Sequence, residues 1–135
     1  MSKANLIVVL GRSCIGASQF RLRAKIENAP KIVNCSSFIQ YLFSKVGISL
    51  PRLAVQQREK GKEVISIEEA ISGDLIFTTG LAISVRCDIQ GDEVGHVGLF
   101  TEKNTIIHAC NKGVLEVNPE EVFKERAFRG IRRML

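Results

Sequence analysis

The clearest pattern of apolar and polar positions lies in the first half of the chain. Five apolar residues recur there at helical spacing, which places them on one face of a helix: Phe38, Ile39, Leu42, Phe43 and Val46. Asn34 is a residue type that caps helix starts, and Gly47 is the type that ends helices in the left-handed conformation. The pattern predicts a helix at about 35–46 with its apolar face on the core.

The second half of the chain has the pattern of β-structure. A turn at 72–74 precedes an apolar strand at 75–78. The runs 94–101 and 105–110 predict an antiparallel hairpin with a short loop, and 128–135 can supply a last strand. Because helices come first and strands follow, the predicted fold class is α+β, with N-terminal helices packed on a central antiparallel β-sheet.

In the remaining segments the sequence predicts secondary structure less clearly. Residues 5–13 fit a short helix or an apolar strand equally well. The stretch that follows, to about Val33, is irregular and basic. Pro51 allows a short helical turn through Gln57, and Gly61 ends it.

Composition describes an ordinary globular protein and leaves its partner open. The 135 residues are 45% hydrophobic and 24% charged, which excludes a disordered chain, a collagen-like repeat and a coiled coil. The length predicts a single domain over 1–135. The formal net charge of +5 favours an anionic partner such as cell-wall polymer, nucleic acid or acidic lipid, without choosing among them.

Hydropathy predicts neither a membrane span nor an export signal. No stretch approaches the ~18 uninterrupted apolar residues of a spanning helix. The apolar run from Leu6 to Leu10 is shorter than the ~7–15 residues of a signal-peptide core. As written, the chain is therefore expected in the cytoplasm. A trimmed chain, or one exported by another route, would instead be secreted or associated with the cell wall.

One of the four cysteines is a candidate nucleophile. None of the four stands in a C-x-x-C pair, so reduced thiols are expected: Cys14, Cys35, Cys87 and Cys110. Cys35 is the first residue of the predicted helix, where unsatisfied backbone N–H groups and the helix dipole favour a thiolate. The alternative for Cys35 is an ordinary buried structural cysteine.

The chain has two histidines, and both lie in the predicted hairpin. If Thr101 faces Thr105, the numbers of paired residues sum to 206, and His96 and His108 become diagonal neighbours on one face of the sheet. Such neighbours lie ~7–8 Å apart and within reach of each other's rings. A register slip of one residue would place the two rings on opposite faces.

Two histidines on one face of a hairpin allow three interpretations. They can be a base with its orienting partner, or a metal site that takes Cys110 or Cys35 as a third ligand. They can also be two polar residues on a half-solvated strand. Gly95 and Gly98 keep bulk away from His96, which suits a residue at the base of a cleft.

Five short motifs follow one another at plausible distances along the chain. They are N-C-S-S-F at 34–38, G-I-S-L-P-R at 47–52, G-D-L-I-F at 73–77, G-H-V-G-L-F at 95–100 and I-H-A at 107–109. In this order they resemble the NlpC-type cysteine peptidases, a papain-like family of bacterial cell-wall hydrolases. The resemblance implies the papain-like NlpC-type fold.

The resemblance also implies a mechanism. Cys35 would be the nucleophile, His96 the general base and His108 the residue that orients the His96 ring. The backbone N–H of Cys35 would stabilise the oxyanion. The reaction would be hydrolysis of an amide in a peptidoglycan stem peptide through a thioester. No cofactor, metal or nucleic-acid partner is implied, and the oligomeric state is left open.

Three departures from the family pattern concern the substrate. The resemblance places Phe20, Asn34, Ser36 and Arg52 at substrate-binding positions. Phe20 and Asn34 replace the Tyr and Asp that help to hold a free ammonium group in some members, and Leu53-Ala54 replaces a Thr-Ser pair. Neither Phe20 nor Asn34 offers a negative charge. We therefore expect a changed specificity, for an amide without a free α-amine next to it.

Alternatives to a wall peptidase stay open. A papain-like hydrolase or acyltransferase on another amide or ester would keep the three residues, a catalytically silent basic binding module would keep only the fold, and a zinc site would use the histidines with a cysteine. No role is assigned to Cys14, Cys87 or Cys110. The arginines near the C-terminus are expected to lie on a solvated face of the closing strand: Arg126, Arg129, Arg132 and Arg133.

Overall fold

A computed structural model describes residues 1–80 and 94–135; Cys87 lies outside the described residues. The helices within these ranges are α1 (Lys3–Ser13), α2 (Cys35–Ser44), α3 (Ala54–Gln57) and α4 (Pro119–Phe123). The segment that fitted a helix or a strand is therefore the helix α1, whose start is capped by the Ser2 side chain. In the two described ranges, no helix has the length and apolar character needed to cross a bilayer.

Helix α2 begins at the predicted residue and ends two residues earlier than predicted. The Asn34 side chain accepts a hydrogen bond from the Ser37 backbone N–H at 2.9 Å, and the Asn34 N–H donates to Ser37 Oγ at 2.9 Å. This reciprocal capping box satisfies backbone donors that a helix start otherwise leaves unpaired. After the helix, Gly47 adopts a φ of 81°, the left-handed conformation that glycine takes without strain.

The strands form a small parallel pair and a larger antiparallel sheet. In chain order the strands are β1 (Gln19–Phe20), β2 (Ile32–Val33), β3 (Lys62–Val64), β4 (Leu75–Thr78), β5 (His96–Phe100), β6 (Ile106–Cys110), β7 (Gly113–Val117) and β8 (Phe128–Arg133). Strands β1 and β2 pair with each other in parallel. The described part of the larger sheet has six strands in the order β3-β8-β4-β5-β6-β7, all antiparallel.

The hairpin of β5 and β6 has the predicted register. Leu99 pairs with Ile107 and Phe100 with Ile106, so paired numbers sum to 206. The loop is closed by the Thr101 N–H, which donates to the Thr105 carbonyl at 2.9 Å. This register puts His96 and His108 on the same face, as side chains alternate along a strand.

Apolar clusters cover both faces of the sheet. On one face, α1 and α2 pack through residues such as Ile7, Phe38 and Leu42 against Leu75, Leu99 and Ile107 of the strands. On the other face, α4 contributes Val122 to a smaller cluster with Ile76, Phe100, Ile106 and Ile131. The α+β class is thus confirmed, with a second layer, α4, that the pattern did not predict.

A buried ion pair joins β8 to the turn before β4. Asp74 is 1% exposed, and its two carboxylate oxygens accept from Nε and Nη2 of Arg133 at 2.9 Å each. The Ile71 N–H also donates to Asp74 Oδ2 at 2.9 Å. The expected solvated face of the basic tail therefore describes Arg133 only in part, because its side chain keeps 32% exposure while its charge neutralises the buried carboxylate of Asp74.

Candidate active site

Cys35 stands at the first position of α2, next to the strand that carries His96. Its side chain is half-buried, and its Sγ lies 3.8 Å from the carbonyl oxygen of Gly95. Helix α2 packs on β5 and β6 through the larger apolar cluster. This packing brings the N-terminal end of the helix to the residue that precedes β5.

His96 and His108 form a hydrogen-bonded pair inside the protein. Nε2 of His96 lies 2.7 Å from Nδ1 of His108, and the ring planes stand at 82° with their centroids 5.0 Å apart. The two residues are 4% and 7% exposed. The predicted approach of the two rings is therefore present, at a distance that only a direct hydrogen bond allows.

Gly98 makes this approach possible. A Cβ at that position would lie 2.5 Å from Cγ2 of Ile106 and 3.4 Å from Cβ of His108. The Ile106 atom belongs to a β-branched side chain and is held close to its backbone. The two strands can thus bring His108 towards His96 only because position 98 has no side chain.

Burial keeps both imidazoles neutral at neutral pH. The pKa of His96 is well below its ordinary value of 6.5, chiefly because burial disfavours the charged ring, and further because of the charge of Arg126 and the charge that His108 would carry when protonated. Burial, followed by the charge of Arg126, lowers the pKa of His108 to about 4. In a neutral pair, one ring nitrogen donates the shared proton and the other accepts it.

Arg126 is a charged residue that acts on both histidines and that the sequence did not reveal. It lies between α4 and β8, half-buried, where its Nη1 donates to the Thr79 carbonyl at 3.5 Å. The neighbouring Ala127 forms two hydrogen bonds of 2.9 Å with Thr79: its carbonyl accepts from the Thr79 N–H, and its own N–H donates to Thr79 Oγ1. The expectation of a solvated face is thus wrong for Arg126. Its position follows from the long-range pairing of β8 with β4, which no local pattern announces.

The predicted substrate-binding residues hold the backbone around Cys35. Asn34 Nδ2 donates to the Leu22 carbonyl at 3.0 Å, in addition to the cap made by Oδ1. Arg52 donates to Ser36 Oγ at 2.8 Å and to the Ala24 carbonyl at 2.6 Å. These bonds fasten the segment around Ala24 to the start of α2.

Gln57, at the end of α3, adds a further support. It is fully buried, and its Nε2 donates to the carbonyls of Ser36 at 3.1 Å and Pro51 at 2.8 Å. Phe20 is half-buried and packs against the larger apolar cluster. Contact of Phe20, Asn34, Ser36 or Arg52 with a substrate stays a prediction.

Cys110 lies on the same strand as His108, two residues further on, and is a buried free thiol. Side chains two residues apart share a face of a strand, so Cys110 and His108 point the same way. Among the residues at 1–80 and 94–135, no three His, Cys, Asp or Glu side chains are grouped to hold a metal ion.

Comparison with known proteins places the chain in a family. The sequence profile of the NlpC/P60 family matches residues 19–133, which is most of the chain. The chain belongs to the NlpC/P60 family. This confirms the resemblance seen in the five motifs.

Similar proteins include two curated enzymes and one solved structure. The bifunctional muramidase/DL-endopeptidase CwlT of Bacillus subtilis is 33% identical over 81 residues, covering 60% of this chain and 22% of CwlT. The murein DD-endopeptidase MepS/murein LD-carboxypeptidase of Escherichia coli is 30% identical over 107 residues, covering 78% of this chain and 51% of MepS. The chain thus spans about a fifth of CwlT and half of MepS.

The solved structure shows the fold over the whole chain. RipD of Mycobacterium tuberculosis, described as a non-catalytic NlpC/p60 domain protein with an adaptation to peptidoglycan binding, superimposes with a TM-score of 0.75. The match covers 100% of this chain and 99% of RipD at 19% sequence identity. The papain-like NlpC-type fold is therefore shared by this chain and RipD.

Proposed function

We propose that this chain is a cysteine peptidase or amidase that hydrolyses amide bonds in peptidoglycan stem peptides. Cys35 is the nucleophile, His96 the general base and His108 the residue that orients His96. One observation carries the proposal: a cysteine at a helix start touches the residue before His96, whose ring is hydrogen-bonded to His108 at 2.7 Å. The peptidase relatives CwlT and MepS support the substrate class.

The mechanism uses one of the two tautomers that the histidine pair can adopt. Because Nε2 of His96 faces Nδ1 of His108, the other ring nitrogen of His96, Nδ1, is left for the thiol. If His96 Nε2–H donates to His108, Nδ1 of His96 carries a lone pair and can accept the proton of Cys35. His108 then acts as the acceptor that stabilises the imidazolium formed on His96.

The reaction follows from this proton transfer. Sγ of Cys35 attacks the amide carbonyl carbon, and the negative oxygen faces backbone N–H groups at the start of α2. The C–N bond breaks as the His96 imidazolium gives its proton to the leaving amine, which leaves a thioester on Cys35. Water, deprotonated by His96, then attacks the thioester, releasing the carboxylic acid and the thiol.

Digestion of purified peptidoglycan tests the proposal. The wild-type chain should release soluble peptide fragments with new amino ends, identified by mass spectrometry, and Cys35→Ser should release none while still sedimenting with the polymer. Binding without release by the wild type would instead support a silent binding module like RipD. Hydrolysis of simple thioesters or esters without release from the wall would favour the alternative of a papain-like hydrolase or acyltransferase on another amide or ester.

We further propose that the substrate carries no free α-amine next to the scissile bond. The polar atoms of the Asn34 side chain are already used by the Ser37 N–H and the Leu22 carbonyl, and Phe20 has no hydroxyl. Neither residue supplies a negative charge for an ammonium group.

Stem peptides with free and acetylated N-termini test this specificity. The wild type should cleave both at similar kcat/KM. Asn34→Asp keeps the capping oxygen and adds a negative charge, so this variant should shift the preference towards the free amine. A strong preference of the wild type for the free amine would contradict the proposal.

A further inference from the structure

The loop that joins β1 to β2, residues 21–31, holds much of the chain's positive charge. It has four basic residues and one acidic residue, Glu27, a surplus of three charges out of the chain's net +5. The basic residues, all with exposed side chains, are Arg21, Arg23, Lys25 and Lys31. Within residues 1–80 and 94–135 none of the four forms an ion pair, whereas Arg12 and Arg133 each bind a carboxylate.

Hydrogen bonds fix this loop beside the start of α2. The Leu22 carbonyl accepts from Asn34 Nδ2 at 3.0 Å, and the Ala24 carbonyl accepts from Arg52 at 2.6 Å. The parallel pairing of β1 with β2 joins the two ends of the loop. The four charges are therefore held on one side of the helix that begins at Cys35.

Large apolar side chains are exposed at the same corner of the molecule. Leu22 is 59% exposed and Ile26 is 40% exposed, and both alternate with basic residues along the loop. Leu53, which follows the arginine bound to the Ala24 carbonyl, is 39% exposed. Grouped exposed aliphatic residues, unlike scattered ones, are typical of a surface that meets another apolar phase.

A groove continues this surface along the outer side of α2. Ile26 and Ala29 of the loop line one part of it, and Tyr41, Lys45 and Ile48 line another. Nζ of Lys45 lies 5.0 Å from the centre of the Tyr41 ring. No carboxylate is among the described residues that line the groove. The loop 21–31, Leu53 and this groove are called the basic-apolar face below.

The combination of side chains on this face favours one class of partner. Unpaired cations attract any anionic surface, but a soluble polyanion would use the charges alone. An anionic bilayer uses both kinds of residue: its headgroups attract Lys and Arg, and its acyl boundary takes the aliphatic side chains between them. Tyrosine also suits such a boundary, because its ring is apolar and its hydroxyl is polar.

We propose that the basic-apolar face binds the surface of an anionic lipid bilayer. The face adjoins the start of α2, so a bound molecule holds Cys35 close to the bilayer. The inference goes beyond the proposed function, since it concerns where the protein acts and makes no use of the reaction.

Cosedimentation with lipid vesicles tests the proposal. The wild-type chain is mixed with vesicles of phosphatidylcholine alone and with vesicles of equal parts of phosphatidylcholine and phosphatidylglycerol. Binding is expected to the vesicles with phosphatidylglycerol, at least tenfold tighter than to the neutral ones, and it should weaken from low to high salt. Equal binding to both kinds of vesicle, or binding to neither, would overturn the proposal.

Arg21→Gln/Arg23→Gln tests the charges of the face. The double variant should bind the anionic vesicles roughly ten- to thirtyfold more weakly, because each cation near such a surface contributes on the order of fivefold. Lys3→Gln/Lys60→Gln is the matched control, since it removes two exposed charges from the start of α1 and the turn before β3. The control should bind within about twofold of wild type, and an equal loss in both variants would reduce the effect to net charge.

Leu22→Ser/Ile26→Ser separates a bilayer from a soluble polyanion. This variant should bind the anionic vesicles roughly fivefold more weakly, because apolar area no longer leaves water on binding. Ile65→Ser/Ile71→Ser removes two other exposed aliphatic side chains, which are 80% and 55% exposed, and should bind like wild type. If Leu22→Ser/Ile26→Ser kept full vesicle binding and long-chain polyphosphate competed equally in both proteins, the face would be one for soluble polyanions.

The test is independent of the catalytic proposal. All eight substituted side chains are exposed, so circular dichroism spectra and urea midpoints should stay close to those of wild type. Cys35→Ser should bind the vesicles as wild type does. Loss of peptidase activity with intact vesicle binding would count against the proposed function alone, and the reverse result would count against the basic-apolar face alone.

Discussion

His96 and His108 are the two residues on which the account depends most. They share a hydrogen bond inside the protein, and burial holds both rings neutral. A proton added to His108 at Nδ1 would remove the acceptor that His96 needs. The pair is therefore expected to act as a base only while His108 stays unprotonated, and its charge state links the chemistry to folding stability.

The free energy of unfolding should fall as the pH drops below 6.5. The unfolded imidazole of His108 takes up a proton near that pH, whereas the folded one does so only near its pKa of about 4. The unfolded state therefore binds more protons between these values, and stability is lost by roughly 2–3 kcal/mol between pH 6.5 and 4.5 from His108 alone. Urea unfolding at several pH values measures this loss.

His108→Asn is the control for that slope. Asparagine keeps a carbonyl acceptor but does not titrate, so the dependence on pH between 6.5 and 4.5 should be clearly shallower in the variant. Glu102 and Glu116, whose pKa values lie below 4.5, lose their contribution only at lower pH and do not obscure the window. Equal slopes in wild type and variant would show that His108 is not buried as a neutral ring.

At the residue scale, local patterns predicted one part of the site and missed another. The sequence places His96 and His108 together because a short loop fixes the register of neighbouring strands. The same is not true of Arg126, which reaches the site through the pairing of β8 with β4, about fifty residues away in sequence. The bonds from Arg52 to Ser36 and the Ala24 carbonyl likewise depend on loop geometry.

The hairpin of β5 and β6 is the element that sets the distance between the histidines. Gly98 lies on β5 at the point where Ile106 and His108 of β6 come closest to it. The register alone places diagonal residues ~7–8 Å apart on the sheet. The side chains of His96 and His108 close this gap, so that their ring nitrogens lie 2.7 Å apart.

Gly98→Ala should separate the rings. The added methyl group would meet Cγ2 of Ile106 at 2.5 Å, so β6 must move, at a cost of about 1–3 kcal/mol in the free energy of unfolding. Alkylation of Cys35 should slow as His108 is displaced. Ile106→Ala removes the clashing atom, so the double variant should be more stable than the sum of the two single losses. Strict additivity would contradict the steric role of Gly98.

The other elements were predicted where their sequence pattern is strong and missed where it is weak. Helix α2 has a cap at each end and an apolar face, and it begins at the predicted residue. Strands β3 and β7 were missed because both lie at the edges of the sheet, where polar residues such as the exposed Lys62 and the half-buried Glu116 break the apolar pattern. The turn at 111–112, which ends at Gly113 with a φ of 104°, is a signal that could have revealed β7.

At the scale of the whole molecule, α1 is tied to the far edge of the sheet by a charged cluster. Nε and Nη2 of Arg12 each donate to Glu116 on β7 at 2.9 Å, and Nη1 donates to Glu102 in the hairpin loop at 2.9 Å. The hydrogen bonds that Glu116 accepts, first from Arg12 and then from Thr105, lower its pKa to about 2. Thr105 completes the cluster by donating to Glu116 at 2.6 Å.

Glu116→Gln should cost about 1 kcal/mol of stability, and Glu102→Gln less. Glu116 accepts both prongs of the Arg12 guanidinium and its side chain is 20% exposed, whereas the Glu102 side chain is 50% exposed and makes one bond. Exposed ion pairs contribute little and are screened by salt. Urea unfolding at low and high salt compares the two variants, and a larger loss in Glu102→Gln would contradict this ranking. Neither variant should change Cys35 alkylation.

The sequence order of helices and strands predicts the α+β class, but the strand order of the sheet lies beyond local pattern. The C-terminal strand β8 inserts between β3 and β4, two strands that precede it by about fifty residues or more. Such a connection depends on contacts distant in sequence and on the apolar cluster that includes Ile76 and Ile131. The local periodicity of the sequence does not predict those contacts.

If Cys35 and His96 form a working thiol–imidazole pair, the pH dependence of Cys35 alkylation by iodoacetamide will reveal it. The account predicts rapid labelling confined to Cys35 at pH values well below ~8.5, where an ordinary cysteine is mostly protonated. His96→Ala should abolish this reactivity and leave the fold intact by circular dichroism. Slow labelling with the profile of an ordinary thiol in both proteins would contradict the account.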